Sequence, residues 1–135
     1  MSVFMPTLYA PSVPYINKQV LFEEVQPIQI ESVYEPLVDA IFQHETNKNT
    51  LAHNILENAV GGLQIRQCRV DHYNKLTGSN YTLIDMYDFN IAKEVFLYFA
   101  EGKSFEQAAK SWNGSGPMTE IYWDKIKAIL NKNKS

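Results

Sequence analysis

Cysteine is nearly absent from these 135 residues: Cys68 stands alone, so no internal disulfide can form and no cysteine cluster can hold zinc. The expected role of that thiol is a small buried hydrophobe. Charge of one sign is also lacking. Twelve Lys and Arg against 15 Asp and Glu leave a net charge of −3, interspersed until a mildly basic tail from Lys125 to Lys134. No strongly basic face is in prospect, so nucleic acid is not an expected partner, and the tail reads as a helix C-terminus that complements its dipole. No apolar run approaches the ~18 residues of a membrane span. The N-terminus has no charged region leading into an uninterrupted apolar segment, so no secretory signal is expected and synthesis in the cytoplasm is.

Several site chemistries are missing their parts. His44-Glu45 begins the zinc-protease pattern His-Glu-x-x-His, but Lys48 occupies the position of the second ligand. His44, His53 and His72 are irregularly spaced, and no metal site is expected from them. Gly61-Gly62 is not followed by the Gly-Lys-Ser/Thr of a phosphate loop. No cofactor is therefore expected.

What remains is an ordinary globular composition, 45% hydrophobic and 20% charged, sufficient for one domain with a real core. Residues 1–30 stand apart. Pro6, Pro11, Pro14 and Pro27 favour extended and turn conformations, yet Phe4, Leu8, Tyr9, Tyr15 and Phe22 make this arm too apolar for a solvated linker. It either wraps its own domain or docks on a protein partner. Residues 31–135 read as mainly α, with few strand signals and a small hairpin near the Gly61-Gly62 turn.

The first helix is expected from Glu31 or Ser32 to Glu45, opened by a Ser32–Glu35 capping box with Pro36 in its first turn. Leu51 to Val60 reads as short helical or irregular structure. A second helix spans Arg66 to Leu76, with Gly78 as its stop. Asp85 is the expected N-cap of a long, largely buried helix that ends near Gly102. Ser104 and Gln107 form another capping box, opening a helix that breaks at Asn113 to Pro117. The last helix runs from about Thr119 to Leu130, with Tyr122, Ile126 and Ile129 on one face. No internal repeat is found.

Glu45 falls where the stripe of Val38, Ile41 and Phe42 would continue. A carboxyl there is partly desolvated and lies by a helix C-terminus. Both effects disfavour its charge and hold its proton toward neutral pH, as a general acid requires. A solvated carboxylate at a frayed helix end is the alternative.

The succession Glu45-Thr46, Gly62-Leu63-Gln64, Trp112-Asn113-Gly114 and Tyr122 resembles that of the soluble lytic transglycosylase and goose-type lysozyme family. There the pieces are Glu-Ser, Gly-Leu-Met-Gln, Ala-Tyr-Asn-x-Gly and a late Tyr, and the similarity spans about Glu31 to Leu130. The resemblance implies a lysozyme-like helical domain that cleaves peptidoglycan between N-acetylmuramic acid and N-acetylglucosamine. It implies Glu45 as the catalytic acid, Gln64 lining the cleft, Gly62 admitting the sugar, Asn113 contacting the glycan and Tyr122 beside the carboxyl. Thr46 stands for the usual Ser, Leu63 for Met and Trp112 for Tyr. Trp112 is an expected stacking platform, and Trp123 either a second one or a core residue.

A two-carboxylate hydrolase needs a partner for Glu45. Glu57 is the first candidate and Asp71 the second, unless Glu57 is only a solvated loop charge. Without a partner, Glu45 serves as acid and then base while the muramic 6-hydroxyl attacks, as the family implies for lytic transglycosylases. The expected activity is thus that of a lytic transglycosylase or muramidase acting on glycan strands of the wall, of the kind a phage or mobile element encodes as an endolysin. A lysozyme-like structural or glycan-binding module, anchored through the arm to a phage particle or secretion apparatus, is the alternative.

Overall fold

The computed structural model describes the backbone of residues 17–134, and side chains at 31 and from 33 to 134. Residues 1–16, which hold most of the proline-punctuated arm, lie outside the described residues. The chain divides into two units between Val33 and Tyr34. The second, Tyr34–Ser135, carries the core and the candidate site.

Helix is the dominant structure, as expected. The elements are α1 (Asn17–Thr46), a two-stranded sheet of β1 (His53–Asn54) and β2 (Ala59–Val60), α2 (Gln67–Thr77), a 3-10 helix (Leu83–Tyr87), α3 (Phe89–Ala100), α4 (Phe105–Asn113) and α5 (Met118–Lys134). The strands are antiparallel, with His53 opposite Val60 and Asn54 opposite Ala59. Val60 also bridges Ile65, which closes the double-glycine turn.

Three local expectations are corrected. Helix α1 begins at Asn17, so residues 17–30 are helical rather than extended. Pro27 and Pro36 both fall inside this helix. Each proline forfeits one backbone bond but does not forbid the helix around it. The expected Ser32–Glu35 capping box therefore falls inside the helix and not at its start, where the preceding turn already offers carbonyls to the N–H groups. Residues 51–60 take the irregular alternative and not the helical one, and hold the small hairpin expected near the Gly61-Gly62 turn. Asp85 does not open the long helix: it is the third residue of the 3-10 helix, whose capping box it closes by accepting from the Thr82 N–H at 2.8 Å. Asp88 is the true N-cap of α3, accepting from Asn90 and Ile91. Two carboxylates three residues apart each serve one turn, and the apolar pattern runs through both.

Other signals act where they were read. Gly78 ends α2 in the left-handed region with its N–H on Asn74 O. Ser104 and Gln107 form the reciprocal capping box of α4. On α3, Ala92, Val95, Phe96 and Ala100 are buried, as are Tyr122 and Ile126 on α5. Leu37, Val38 and Ile41 complete the core from α1, and the Tyr34 hydroxyl ties that helix to the end of α3 by donating to Ala100 O at 2.7 Å.

Two glycines are demanded by close packing. At Gly61, with φ +81°, a Cβ would meet Met86 O at 2.2 Å. At Gly62 a Cβ would meet the Phe42 ring at 2.4 Å, and that ring is stacked on Phe89 with centroids 4.3 Å apart. Gly62→Ala is expected to destabilise the fold by about 1–3 kcal/mol, the usual range for an overpacked interior. Gly61→Ala is expected to cost more, because rigid backbone and an unfavourable φ oppose it together. Urea unfolding of both variants measures the difference.

Candidate functional site

The last turn of α1 brings Glu45 to one wall of an open cleft of about 720 Å³. The cleft is lined by Glu45 and His44 from α1, Asn54 and Glu57 from the hairpin, and Gln64, Ile65 and Arg66 after the glycine turn. Cys68, Arg69 and His72 of α2, Trp112, Asn113 and Gly114 at the end of α4, and Tyr122 of α5 complete it. Residues from five separate stretches of chain thus face one volume.

The Tyr122 hydroxyl donates to Glu45 Oε2 at 2.9 Å. Burial raises the Glu45 carboxyl above the usual carboxylate range. The Tyr122 hydrogen bond opposes that shift by favouring the ionised form, the Glu57 charge adds to it, and the Arg66 charge opposes it. Burial and the adjoining carboxylate in turn raise the tyrosine, so that it remains a hydroxyl donor. His44 stands edge-on to the Tyr122 ring with centroids 5.1 Å apart, and burial, then Lys125, lowers its basicity.

A second part of the cleft lining hangs on Arg69. Its Nη2 donates to Trp112 O at 3.0 Å and Ser111 O at 3.3 Å, and its guanidinium lies 4.4 Å from the Trp112 ring centroid. Trp112 also packs edge-on against Phe96 and donates its indole N–H to Leu63 O at 3.4 Å. These contacts hold the end of α4 and present Asn113 to the cleft.

Of the residues singled out in the sequence, Glu45, Glu57, Gln64, Trp112, Asn113 and Tyr122 line this one cleft. Thr46 and Gly62 do not. The Thr46 hydroxyl bonds to Gly62 O at 3.0 Å and Phe42 O at 3.2 Å, pinning the helix end to the turn. The side of Gly62 that lacks a Cβ faces Phe42, so the glycine serves packing and not the approach of a sugar. Trp112 is buried, so little of its ring is open to the cleft. Gln64, at φ 55°, donates its amide to Gly61 O at 2.9 Å and so braces the turn. Asp71 does not reach the cleft and accepts from Gln67 on the surface of α2. Trp123 also lies away from the cleft, beside Lys127. Cys68 is exposed, contrary to the expected burial, because the face of α2 that packs inward carries Val70 and Tyr73.

Arg66, Arg69 and His72 were not anticipated. Their three-residue spacing, which runs along one side of α2 from the residue just before it, was the available signal.

Comparison with protein-family models, with curated proteins and with solved structures finds no match to this chain.

Because the folded Glu45 carboxyl binds its proton more tightly than an unfolded one, the matching stability is complete below the unfolded value. It is lost as pH rises through the folded one. Glu45→Gln cannot ionise, so its melting temperature should gain on the parent's as pH increases, with the gap closing in acid. Thermal melts across the pH range check this.

Proposed function

We propose that this chain is a peptidoglycan-cleaving glycosidase of lysozyme-like type, with Glu45 as its general acid and then base. One observation carries the reading: a part-buried carboxyl with raised proton affinity faces an open cleft, under a hydrogen bond from Tyr122. The ordered sequence resemblance supports it, since Gln64, Trp112, Asn113 and Tyr122 share the cleft with Glu45. A phosphoryl or metal-dependent reaction has no comparable support in the residues that line it.

In the proposed reaction Glu45 gives its proton to the oxygen bridging muramic acid and N-acetylglucosamine as the glycosidic bond breaks. The electron pair of that bond leaves with the oxygen, and Glu45 becomes a carboxylate. The carboxylate then takes a proton from the incoming nucleophile, either water or the 6-hydroxyl of the muramic ring. The first gives a hydrolysed end and the second an anhydro end. Tyr122 steadies the carboxylate in the interval between the two transfers. Glu57, exposed on the hairpin, raises the Glu45 carboxyl by its charge, and this electrostatic role needs no direct part in bond breaking. The wall is the proposed site of action.

Purified sacculi test the proposal. Glu45→Gln should reduce muropeptide release by about 100- to 10,000-fold, the usual span for loss of a general acid. A variant that digests sacculi at the parental rate would sink the reading. Mass spectrometry of the products distinguishes the anhydro end, lighter by one water.

The pH profile tests the electrostatics. Activity should fall as pH rises through the Glu45 proton loss. Tyr122→Phe removes a bond that favours the carboxylate, so the alkaline limb should move to higher pH. Glu57→Gln removes a repelling charge, so the limb should move to lower pH with the maximal rate retained. A fall in that maximum of 100-fold or more would instead make Glu57 the second carboxylate of a hydrolase.

A further inference from the structure

Two guanidinium groups line the cleft, and they are not equivalent. Arg69 is engaged by the protein itself, through Ser111 O, Trp112 O and the faces of Trp112 and Phe99. Arg66, one residue ahead of α2, is exposed, and its guanidinium makes no hydrogen bond or ion pair with a described residue. Its charge nonetheless acts on Glu45, so it lies within electrostatic reach of the acid.

A solvated surface arginine is the ordinary alternative, and the surroundings decide against it. The ion pairs among the described residues all lie elsewhere, so neither cleft arginine is neutralised by a carboxylate contact. Burial disfavours the charge of Glu45, one of the two carboxylates that could offset the pair. Glu57, and a Glu45 whose charge is disfavoured, face two guanidinium groups in an open cleft, so the lining carries no surplus of negative charge. A guanidinium offers a planar fork of donors that matches a carboxylate in two parallel bonds.

We propose that Arg66 anchors a carboxylate subsite beside Glu45, which takes a carboxylate borne by the glycan strand next to the bond to be cut and so selects acidic over neutral glycans. The inference rests on the reading of the cleft as a peptidoglycan site. The carboxylate belongs either to the lactyl ether of a peptide-free muramic residue or to the peptide stem. In a substituted residue the lactyl group is an amide and carries no charge.

The test measures binding by calorimetry in the Glu45→Gln background, alone and combined with Arg66→Gln or Arg66→Lys. The ligands are peptide-free glycan strands, peptide-bearing strands and neutral chitooligosaccharides of equal length. The expected result is that Arg66→Gln lowers the preference for acidic over neutral glycan about tenfold, the scale of one charge-assisted contact. Arg66→Lys, which keeps the charge but not the fork, should retain part of it, and added salt should erode the preference. Loss on peptide-free strands assigns the lactyl carboxylate, and loss confined to peptide-bearing strands assigns the stem. An unchanged preference in Arg66→Gln, with melting temperatures equal to the parent's, would overturn the inference. If the parent still cleaves sacculi in that case, the arginine subsite alone falls. If the parent does not cleave and the Glu45→Gln protein binds no strand, the glycosidase reading falls with it.

Discussion

The close approach of the end of α1 to the double-glycine turn is the contact on which the candidate site depends. Phe42 occupies the space where a Gly62 side chain would be, and the Thr46 hydroxyl reaches Gly62 O from the next helical turn. Glu45 lies between those two attachments and is carried with them. A carboxyl on an unrestrained helix end would sample solvent and titrate as one. Fixed against the turn, it is part-buried, and the cost of ionising there appears as its raised proton affinity. Packing and acid strength are in this sense one property.

The part of the lining that Arg69 and Trp112 supply is built on a different principle. Its polar groups are secured by a cation: Arg69 collects two carbonyls at the end of α4 and covers the Trp112 ring. A guanidinium suits this position because its flat face stacks on the indole while its edge donates. Trp112 is thereby committed to Leu63 O and Phe96, which joins the glycine turn to α3 and α4. Asn113 is held by its neighbours. The cleft therefore sets the Glu45 carboxyl in one volume with the guanidinium groups of Arg66, just ahead of α2, and Arg69, on it.

The same economy explains why Thr46 and Gly62 sit among the residues of the resemblance without lining the cleft. Each acts on Glu45 through the fold, one by a hydroxyl and the other by having no side chain. A motif that mixes such residues with Gln64 and Asn113 records a local geometry as much as a set of contacts to a ligand.

By itself the sequence determined the mainly helical class, the stop at Gly78, the capping box at Ser104 and Gln107, and the apolar faces of α3 and α5. These rest on interactions within one or two turns, where residue type is enough. It misjudged the start of α1 because prolines lower helix propensity without vetoing a helix, and it assigned the α3 cap to Asp85 because Asp88 offers the same chemistry one turn later. Only the tertiary structure decided that Tyr122 meets Glu45 across 77 residues, that Gly62 faces Phe42, and that Arg69 is engaged while Arg66 is open. Those outcomes follow from how the elements of the Tyr34–Ser135 unit pack, and no local rule reaches that far along a chain.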